Sequence, residues 1–241
     1  MNLILDIGNT NTKIAVFEKN VMLKKITINS DLIDKSILKL QKKYPLKNCI
    51  VSSVTKIHSD TIKNIDLFEK SIELSQKTNV PFQNHYKTPT TLGVDRIALA
   101  SAAVSQYPNQ NTLVIDAGTC ITYDFINTSS TYLGGAISPG ISIRYKALHQ
   151  FTSNLPLLEP SNYKLIGNDT QSSIHSGILN GVIHEIDGVI SQYNSKYSNL
   201  TVVLTGGDTN FLAKKLKSSI FATPNFLLEG LNSILIHNLS K

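Results

Sequence analysis

The pattern that most constrains the fold of this chain is a short strand-turn-strand motif that occurs twice. Three apolar residues at 3–5 lead into Asp6 and Gly8, and a second apolar run follows from Thr12. The same order returns at 113–115, Asp116 and Gly118, about 110 residues later. Glycine and asparagine tolerate the backbone angles of a tight hairpin turn, so each copy predicts a β-hairpin. Two copies in matched contexts predict a duplicated domain.

The rest of the chain alternates short apolar runs with segments of helical spacing, which is typical of an α/β protein. Further strands are predicted near residues 50–51 and 201–204. Helices are predicted over 31–40, 60–67, 97–105, 172–193, 211–216 and 230–239, and from Gly140 through Leu148. Small side chains in the 97–105 helix predict close packing against a neighbour. Pro108 favours a junction over 107–111, giving an N-terminal domain at 1–110 and a C-terminal domain at 111–241.

The residues of both turns suit phosphate binding. Glycine allows close approach of backbone N–H groups, and threonine hydroxyls add donors. A carboxylate at the end of each first strand would repel a triphosphate unless a cation lay between them. From the residues alone, Asp6 and Asp116 are therefore predicted to hold Mg²⁺ or its water shell. Lys13 can reach across the hairpin and neutralise phosphate charge.

Composition and charge limit the classes of function that this protein can have. The 241 residues carry a net charge of +6, with 41% hydrophobic residues. Lysine tracts without interleaved aromatic residues indicate a solvated face, or a field that attracts anionic ligands, rather than nucleic-acid binding. Cys49 and Cys120 form no CxxC pair, which favours free thiols and a cytoplasmic location. No apolar run predicts a membrane span or a leader, and P-loop and Rossmann fingerprints do not occur.

A third glycine-rich turn, Thr205-Gly206-Gly207-Asp208, follows a predicted strand and opens a predicted helix. Its glycine pair would let an adenosine lie against the backbone. The order of the three motifs resembles the actin-like, sugar kinase and Hsp70 ATPase fold. That resemblance implies two duplicated ribonuclease H-like domains, each a mixed sheet flanked by helices.

Within that superfamily the sequence resembles type III pantothenate kinases over nearly its whole length. The motifs that carry the resemblance are Asp6-Ile7-Gly8-Asn9-Thr10-Asn11-Thr12-Lys13, Gly93-Val94-Asp95-Arg96, Asp116-Ala117-Gly118-Thr119, the segment 132–156 and the run from Thr170 to Gly181. The resemblance implies transfer of the terminal phosphate of ATP to the primary hydroxyl of pantothenate, the first step of coenzyme A synthesis.

The resemblance also implies a role for each matching residue. Asp95 would be the general base, and the pantothenate site would comprise Tyr86, Gly93, Val94, Asp95, Arg96 and a Thr170 supplied by the partner subunit of a homodimer. ATP would contact Asp6, Ile7, Gly8, Asn9, Thr10, Asn11, Thr12, Lys13 and Thr119. Asp116 would bind a monovalent cation, K⁺ or NH₄⁺, which leaves Asp6 as the better Mg²⁺ ligand, through water.

Two alternatives stay open at this point. One is another enzyme of the same fold, such as a sugar or acetate kinase or an exopolyphosphatase-like hydrolase. The other is a protein without turnover, either a filament subunit or a regulator. Intact aspartates at 6, 95 and 116 favour an enzyme, because a regulator has no need to keep all three.

Overall fold

A computed structural model describes residues 1–8, 11–53, 61, 65 and 67–240. The strands are β1 (Asn2–Ile7), β2 (Thr12–Glu18), β3 (Val21–Ile28), β4 (Asn48–Ser53), β5 (Lys70–Glu73), β6 (Gln83–Asn84), β7 (Asn111–Ala117), β8 (Cys120–Ile126), β9 (Thr131–Pro139), β10 (Leu200–Thr205) and β11 (Phe221–Ala222). The helices are α1 (Ile33–Gln41), α2 (Val94–Gln106), α3 (Ile141–Gln150), α4 (Thr170–Lys196), α5 (Thr209–Leu212) and α6 (Phe226–Leu239).

The chain divides into two compact units. The first comprises Met1–Pro108, Ser130–Tyr132 and Asn225–Lys241, and the second comprises Asn109–Ser129 and Leu133–Pro224. By contacts, the C-terminal helix therefore belongs to the first unit. The domains predicted at 1–110 and 111–241 were drawn from the two halves of the sequence and not from contacts. That division stays a prediction.

The sheet of the first unit has the strand order β3-β2-β1-β4-β5. The first three strands form an antiparallel meander, and β4 and β5 then add in parallel. The central strand β1 is almost wholly buried, with Leu3, Ile4 and Leu5 fully inaccessible to solvent. The edge strand β3 carries lysines along its exposed positions, which discourages pairing with another sheet.

The second sheet has the strand order β6-β9-β8-β7-β10-β11, and the last five of these strands repeat the order of the first sheet. Here β7 and β8 are antiparallel, while β10 and β11 add in parallel on the other side. Asp6 pairs with Lys13 and Ser52 on its neighbouring strands, and Asp116 pairs with Thr122 and Thr205. The two aspartates thus occupy equivalent positions, each one residue before its strand ends, and the duplication predicted from the repeated motif is confirmed.

Helix α2 packs against the C-terminal helix α6 in the first unit. A Cβ atom at Gly230 would overlap the carbonyl oxygen of Ala98, so the two backbones approach as closely as a glycine allows. The close packing predicted for the alanine-rich helix is confirmed. In the second unit α3 and α4 pack on each other beside the core of strands β7, β8 and β10.

Several elements differ from the sequence predictions. Strands β3, β5 and β9 were not predicted, because β3 and β5 carry exposed lysines and glutamate and β9 contains two glycines, which have low strand propensity. The helix predicted over 211–216 is a single turn, α5. The chain turns away there because the Asp187 carboxylate accepts the N–H groups of Lys217 and Ser218. The helix predicted over 60–67 lies largely outside the described residues.

None of the helices in the described part of the chain is long and apolar enough to cross a membrane.

Candidate active site

The first predicted phosphate loop, residues 6–13, is the connection between β1 and β2. Gly8 N–H donates to the Asn11 carbonyl at 3.1 Å, which closes the turn. The Lys13 ammonium lies 3.6 Å from the Asp6 carboxylate, across the hairpin as predicted. Lys13 is 43% exposed and the Asp6 side chain only 18%. The lysine therefore projects from the turn, while the carboxylate is held at the end of its strand.

The pKa of Asp6 is raised above its ordinary value of 3.8. Burial is the largest cause; the Lys13 ammonium lowers the pKa in part, and the negative charge of Asp95 raises it further. The structure thus brings the first turn and Asp95 within electrostatic reach of each other in the first unit. Two carboxylates so placed favour a cation between them, because their negative charges repel each other.

Asp95 lies in the first turn of α2, which begins one residue after Gly93. Its Oδ1 accepts the backbone N–H of Arg96 at 2.8 Å, which orients the carboxylate. A Cβ atom at Gly93 would overlap that same Oδ1. The sequence placed this motif ahead of the helix, whereas Val94, Asp95 and Arg96 form its first turn, so the carboxylate has a rigid support.

Arg96 is 5% exposed, and its guanidinium lies beside two tyrosine rings whose centres are 6.1 Å apart. The guanidinium carbon is 5.6 Å from the centre of the Tyr86 ring and 5.9 Å from that of Tyr132. Both distances are within the range of cation–π attraction. Tyr132 is fully buried, and sequence reasoning did not select it. Its only sequence signal was its place at the start of the family-like segment 132–156.

Backbone pairing fixes how Tyr86 reaches Arg96. β6 pairs in parallel with the first residues of β9, and His85 N–H donates to the Tyr132 carbonyl at 3.0 Å. The Tyr86 N–H donates to the Asn84 side chain at 3.0 Å. Tyr86 and Tyr132 therefore lie together beside Arg96 because their two backbone segments are hydrogen-bonded to each other.

The second turn, residues 116–122, has a different support. Gly206 has a φ of +97°, and a Cβ atom there would overlap both the Ala117 carbonyl and the Asp116 carboxylate. Asp208 N–H donates to the Ala117 carbonyl at 3.0 Å. The glycine-rich turn 205–208 thus packs directly on the second turn. Burial raises the pKa of Asp208.

The remaining predicted residues of the second unit are exposed. Thr119 lies at the tip of the second turn, next to the free thiol of Cys120. Thr170 is the first residue of α4, directly after a capping box in which Asp169 accepts the N–H of Ser172 at 2.9 Å. Both threonine hydroxyls are therefore accessible to a ligand.

Other predicted ATP contacts are less direct. Thr12 is fully buried and its hydroxyl lies 3.2 Å from that of Ser30, while Ile7 packs in the apolar core, so at most its backbone can meet a phosphate. Asn11 is exposed. Asn9 and Thr10 lie outside the described residues. Within the described ranges, no group of three or more His, Cys, Asp or Glu side chains could form a metal centre.

Comparison with known proteins shows which family contains this sequence. A family model described as type III pantothenate kinase matches residues 2–192. A type III pantothenate kinase from Christiangramia forsetii is 51% identical over 241 residues, covering 99% of each chain. The chain belongs to the type III pantothenate kinase family. The resemblance inferred from the motifs is confirmed.

Solved structures agree on the fold. A Campylobacter jejuni protein, described as a conserved Baf family transcriptional activator, is similar with a TM-score of 0.65 and 25% identity, covering 99% of this chain and 100% of that one. A glucokinase from an Antarctic psychrotroph has a TM-score of 0.53 and 13% identity, covering 98% of both chains. The predicted fold class, two duplicated α/β domains of the actin-like ATPase type, is confirmed.

Proposed function

We propose that the protein transfers the terminal phosphate of ATP to the primary hydroxyl of pantothenate, the first step of coenzyme A synthesis, with Asp95 as the general base. Membership of the family makes it a pantothenate kinase. The single observation that supports the role of Asp95 is its position in the first unit. Its carboxylate is oriented by the first turn of α2 and lies close enough to the first turn for its charge to act on Asp6.

Phosphoryl transfer demands alignment and charge neutralisation more than a strong base. Oδ1 of Asp95 is engaged by the Arg96 N–H, which leaves Oδ2 to accept the hydroxyl proton as the phosphoryl group leaves ATP. The Lys13 ammonium, 43% exposed at the hairpin, is placed to neutralise phosphate charge. In this proposal Asp95 acts on the hydroxyl of pantothenate, and Lys13 acts on the phosphates of ATP.

Arg96 is the group that would hold the carboxylate or an amide oxygen of pantothenate. A guanidinium offers a planar fork that suits such oxygens, and the Tyr86 and Tyr132 rings lie beside it. Tyr86 is half-buried beside it, so its ring can contact the substrate as well as the arginine. Gly93 and Val94 would complete this pocket at the helix terminus.

Cations complete the proposal. Mg²⁺ commonly keeps several waters and binds through one or two carboxylates plus substrate phosphates, and the Asp6 carboxylate at the end of β1 fits that role. Asp116 would bind the monovalent cation, K⁺ or NH₄⁺, beside the second turn, where the backbone of Gly206 approaches closely. When bound, these ions would neutralise charge that the chain itself does not.

We also propose a cytoplasmic homodimer. Thr170 is exposed at the start of α4, which suits a residue that contacts substrate in the partner's site. The two sequence halves, 1–110 and 111–241, would then represent the ancestral duplicated domains, each contributing one phosphate loop.

A regulatory function without turnover is the alternative, since the similar Campylobacter jejuni protein is described as a transcriptional activator. That description belongs to that protein. The oriented Asp95 and the Asp6–Lys13 pair favour catalysis here, because a regulator gains nothing from holding a carboxylate beside a phosphate loop.

The test is a direct assay of phosphopantothenate formed from pantothenate, ATP and Mg²⁺, with and without K⁺. We expect product only with pantothenate, and more with K⁺ present. Glucose and acetate serve as competing acceptors. Phosphorylation of one of these instead would indicate another kinase of this fold, and no product from any acceptor would favour the regulator.

A further inference from the structure

The second turn rests on residues 138–140, the last two residues of β9 and the glycine that joins it to α3, here called the 138–140 turn. Gly140 N–H donates to the Thr119 carbonyl at 3.1 Å. A Cβ atom at Gly140 would overlap the carbonyl oxygens of both Gly118 and Thr119. Movement of the 138–140 turn would therefore displace the backbone of Thr119.

One side chain holds the 138–140 turn. Arg144, one helical turn into α3, donates from Nε to the Pro139 carbonyl at 2.9 Å. Its Nη2 donates to the Ser138 hydroxyl at 3.1 Å and forms a short ion pair with the Glu185 carboxylate of α4. A guanidinium can reach these three acceptors at once because its donors lie in a fixed planar fork.

Glu185 is held in turn by the second sheet. Its Oε1 accepts the hydroxyl of Tyr123, a residue of β8, at 2.9 Å. Burial acts to raise the pKa of Glu185, but hydrogen bonds from Arg144, Ser138 and Tyr123 outweigh it and the pKa is lowered. The carboxylate is thus charged at neutral pH. Arg144 and Glu185 are 21% and 28% exposed, so water screens the pair less than it would at the surface.

We propose that Arg144 is a positioning residue for nucleotide binding: it ties the 138–140 turn to α4 and β8, and through Gly140 it sets the backbone of Thr119. The inference rests on the proposed contact between Thr119 and ATP. It assigns a role to a side chain that the sequence motifs left without one.

The test measures affinity for ATP in the full-length protein. We expect Arg144→Met to weaken ATP binding, by calorimetry, and to raise the KM for ATP roughly tenfold, as expected for loss of a charged hydrogen-bond network. The KM for pantothenate should change little. Arg144→Lys can keep the ion pair but cannot reach all three acceptors, so it should show much of the same defect.

Asp187→Asn is the matched control. Asp187 lies on α4, two residues after Glu185, and accepts hydrogen bonds from Lys217 and Ser218, remote in sequence from the second turn. We expect this variant to lose stability without a change in ATP affinity. The proposal fails if Arg144→Met leaves ATP affinity unchanged, or if Asp187→Asn weakens it equally. Because calorimetry needs no turnover, an inactive wild-type protein would refute the kinase proposal without deciding this one.

Discussion

The two strand-end aspartates occupy equivalent positions in two sheets that share the same five-strand order, yet their surroundings differ. Asp6 has a lysine directly across its hairpin and the charge of Asp95 nearby. Asp116 has Thr122 in the position of that lysine, and the backbone of Gly206 lies against its carboxylate. Charged side chains therefore surround the carboxylate of Asp6, whereas the backbone of Gly206 packs closely against the carboxylate of Asp116.

This difference would let the two copies of a duplicated fold serve two proposed roles. Charged side chains suit the first turn if it faces the phosphate that is transferred, since charge there changes during the reaction. A rigid, glycine-packed turn suits an anchoring site, because it holds one geometry at little entropic cost. The predictions below test that division, from the largest expected effect to the smallest.

The chemistry should reside beside the first turn. We expect Asp95→Asn to lower kcat by roughly 10²–10⁴-fold, the usual range for loss of a general base, while the KM for ATP changes little. Steady-state kinetics measure both. Asp95→Asn keeps the size of the side chain, so thermal unfolding should match wild type; turnover close to wild type would remove Asp95 from the role of base.

The structure of the second turn should depend on the absence of a side chain at Gly206. Gly206→Ala places a Cβ atom on the Ala117 carbonyl and the Asp116 carboxylate at a positive φ. We expect the free energy of unfolding to fall by about 1–3 kcal/mol and the response to K⁺ to weaken. Denaturant titration and activity against K⁺ concentration are the measurements.

Gly207→Ala is the matched control for that variant, because a Cβ atom at Gly207 would meet no atom within 4 Å. It should stay within about 0.5 kcal/mol of wild type. Equal damage from both substitutions would show that the close approach at Gly206 does not matter.

The binding of pantothenate should depend on the aromatic rings beside Arg96. Tyr132→Leu removes one face, and we expect the KM for pantothenate to rise several-fold, in line with about 0.5–2 kcal/mol for a cation–π contact. Tyr132→Phe keeps the ring and should bind pantothenate almost normally. If Phe and Leu are equally impaired, the hydroxyl rather than the ring face matters.

The dependence of stability on pH should have opposite signs for the Asp6 and Asp187 carboxylates. The raised pKa of Asp6 means that the folded state binds its proton more tightly than the unfolded state. Its contribution to stability therefore falls as pH rises from about 4 through the raised pKa. We expect Asp6→Asn to gain stability relative to wild type over that rise, measured by denaturant unfolding at several pH values.

Asp187 should show the opposite sign. Burial opposes its ionisation, but hydrogen bonds from Ser218 and Lys217 lower its pKa below 3.8, so it stabilises the fold above that pH. Asp187→Asn should lose stability relative to wild type as pH rises. The same sign for Asp6→Asn would contradict the burial of that carboxylate.

Much of the site was predictable because its residues are contiguous. The strand-turn-strand motif fixed the hairpin registers, since alternate burial leaves one pairing that keeps the apolar side chains inside. Lys13 opposite Asp6 follows from that register. Strand β3 was not predictable in the same way, because a partner strand supplies the hydrogen bonds that its own lysine-rich sequence does not favour.

The sequence by itself determined the duplicated α/β fold, the family and the two aspartate turns, because these depend on local patterns and contiguous motifs. The tertiary structure decided which groups support them: Tyr132 beside Arg96, Gly206 beneath Asp116, and Glu185 beside Arg144. Each of these contacts joins segments distant in the chain or depends on backbone packing. Their physical cause is the pairing of strands and helices, which no single stretch of sequence contains.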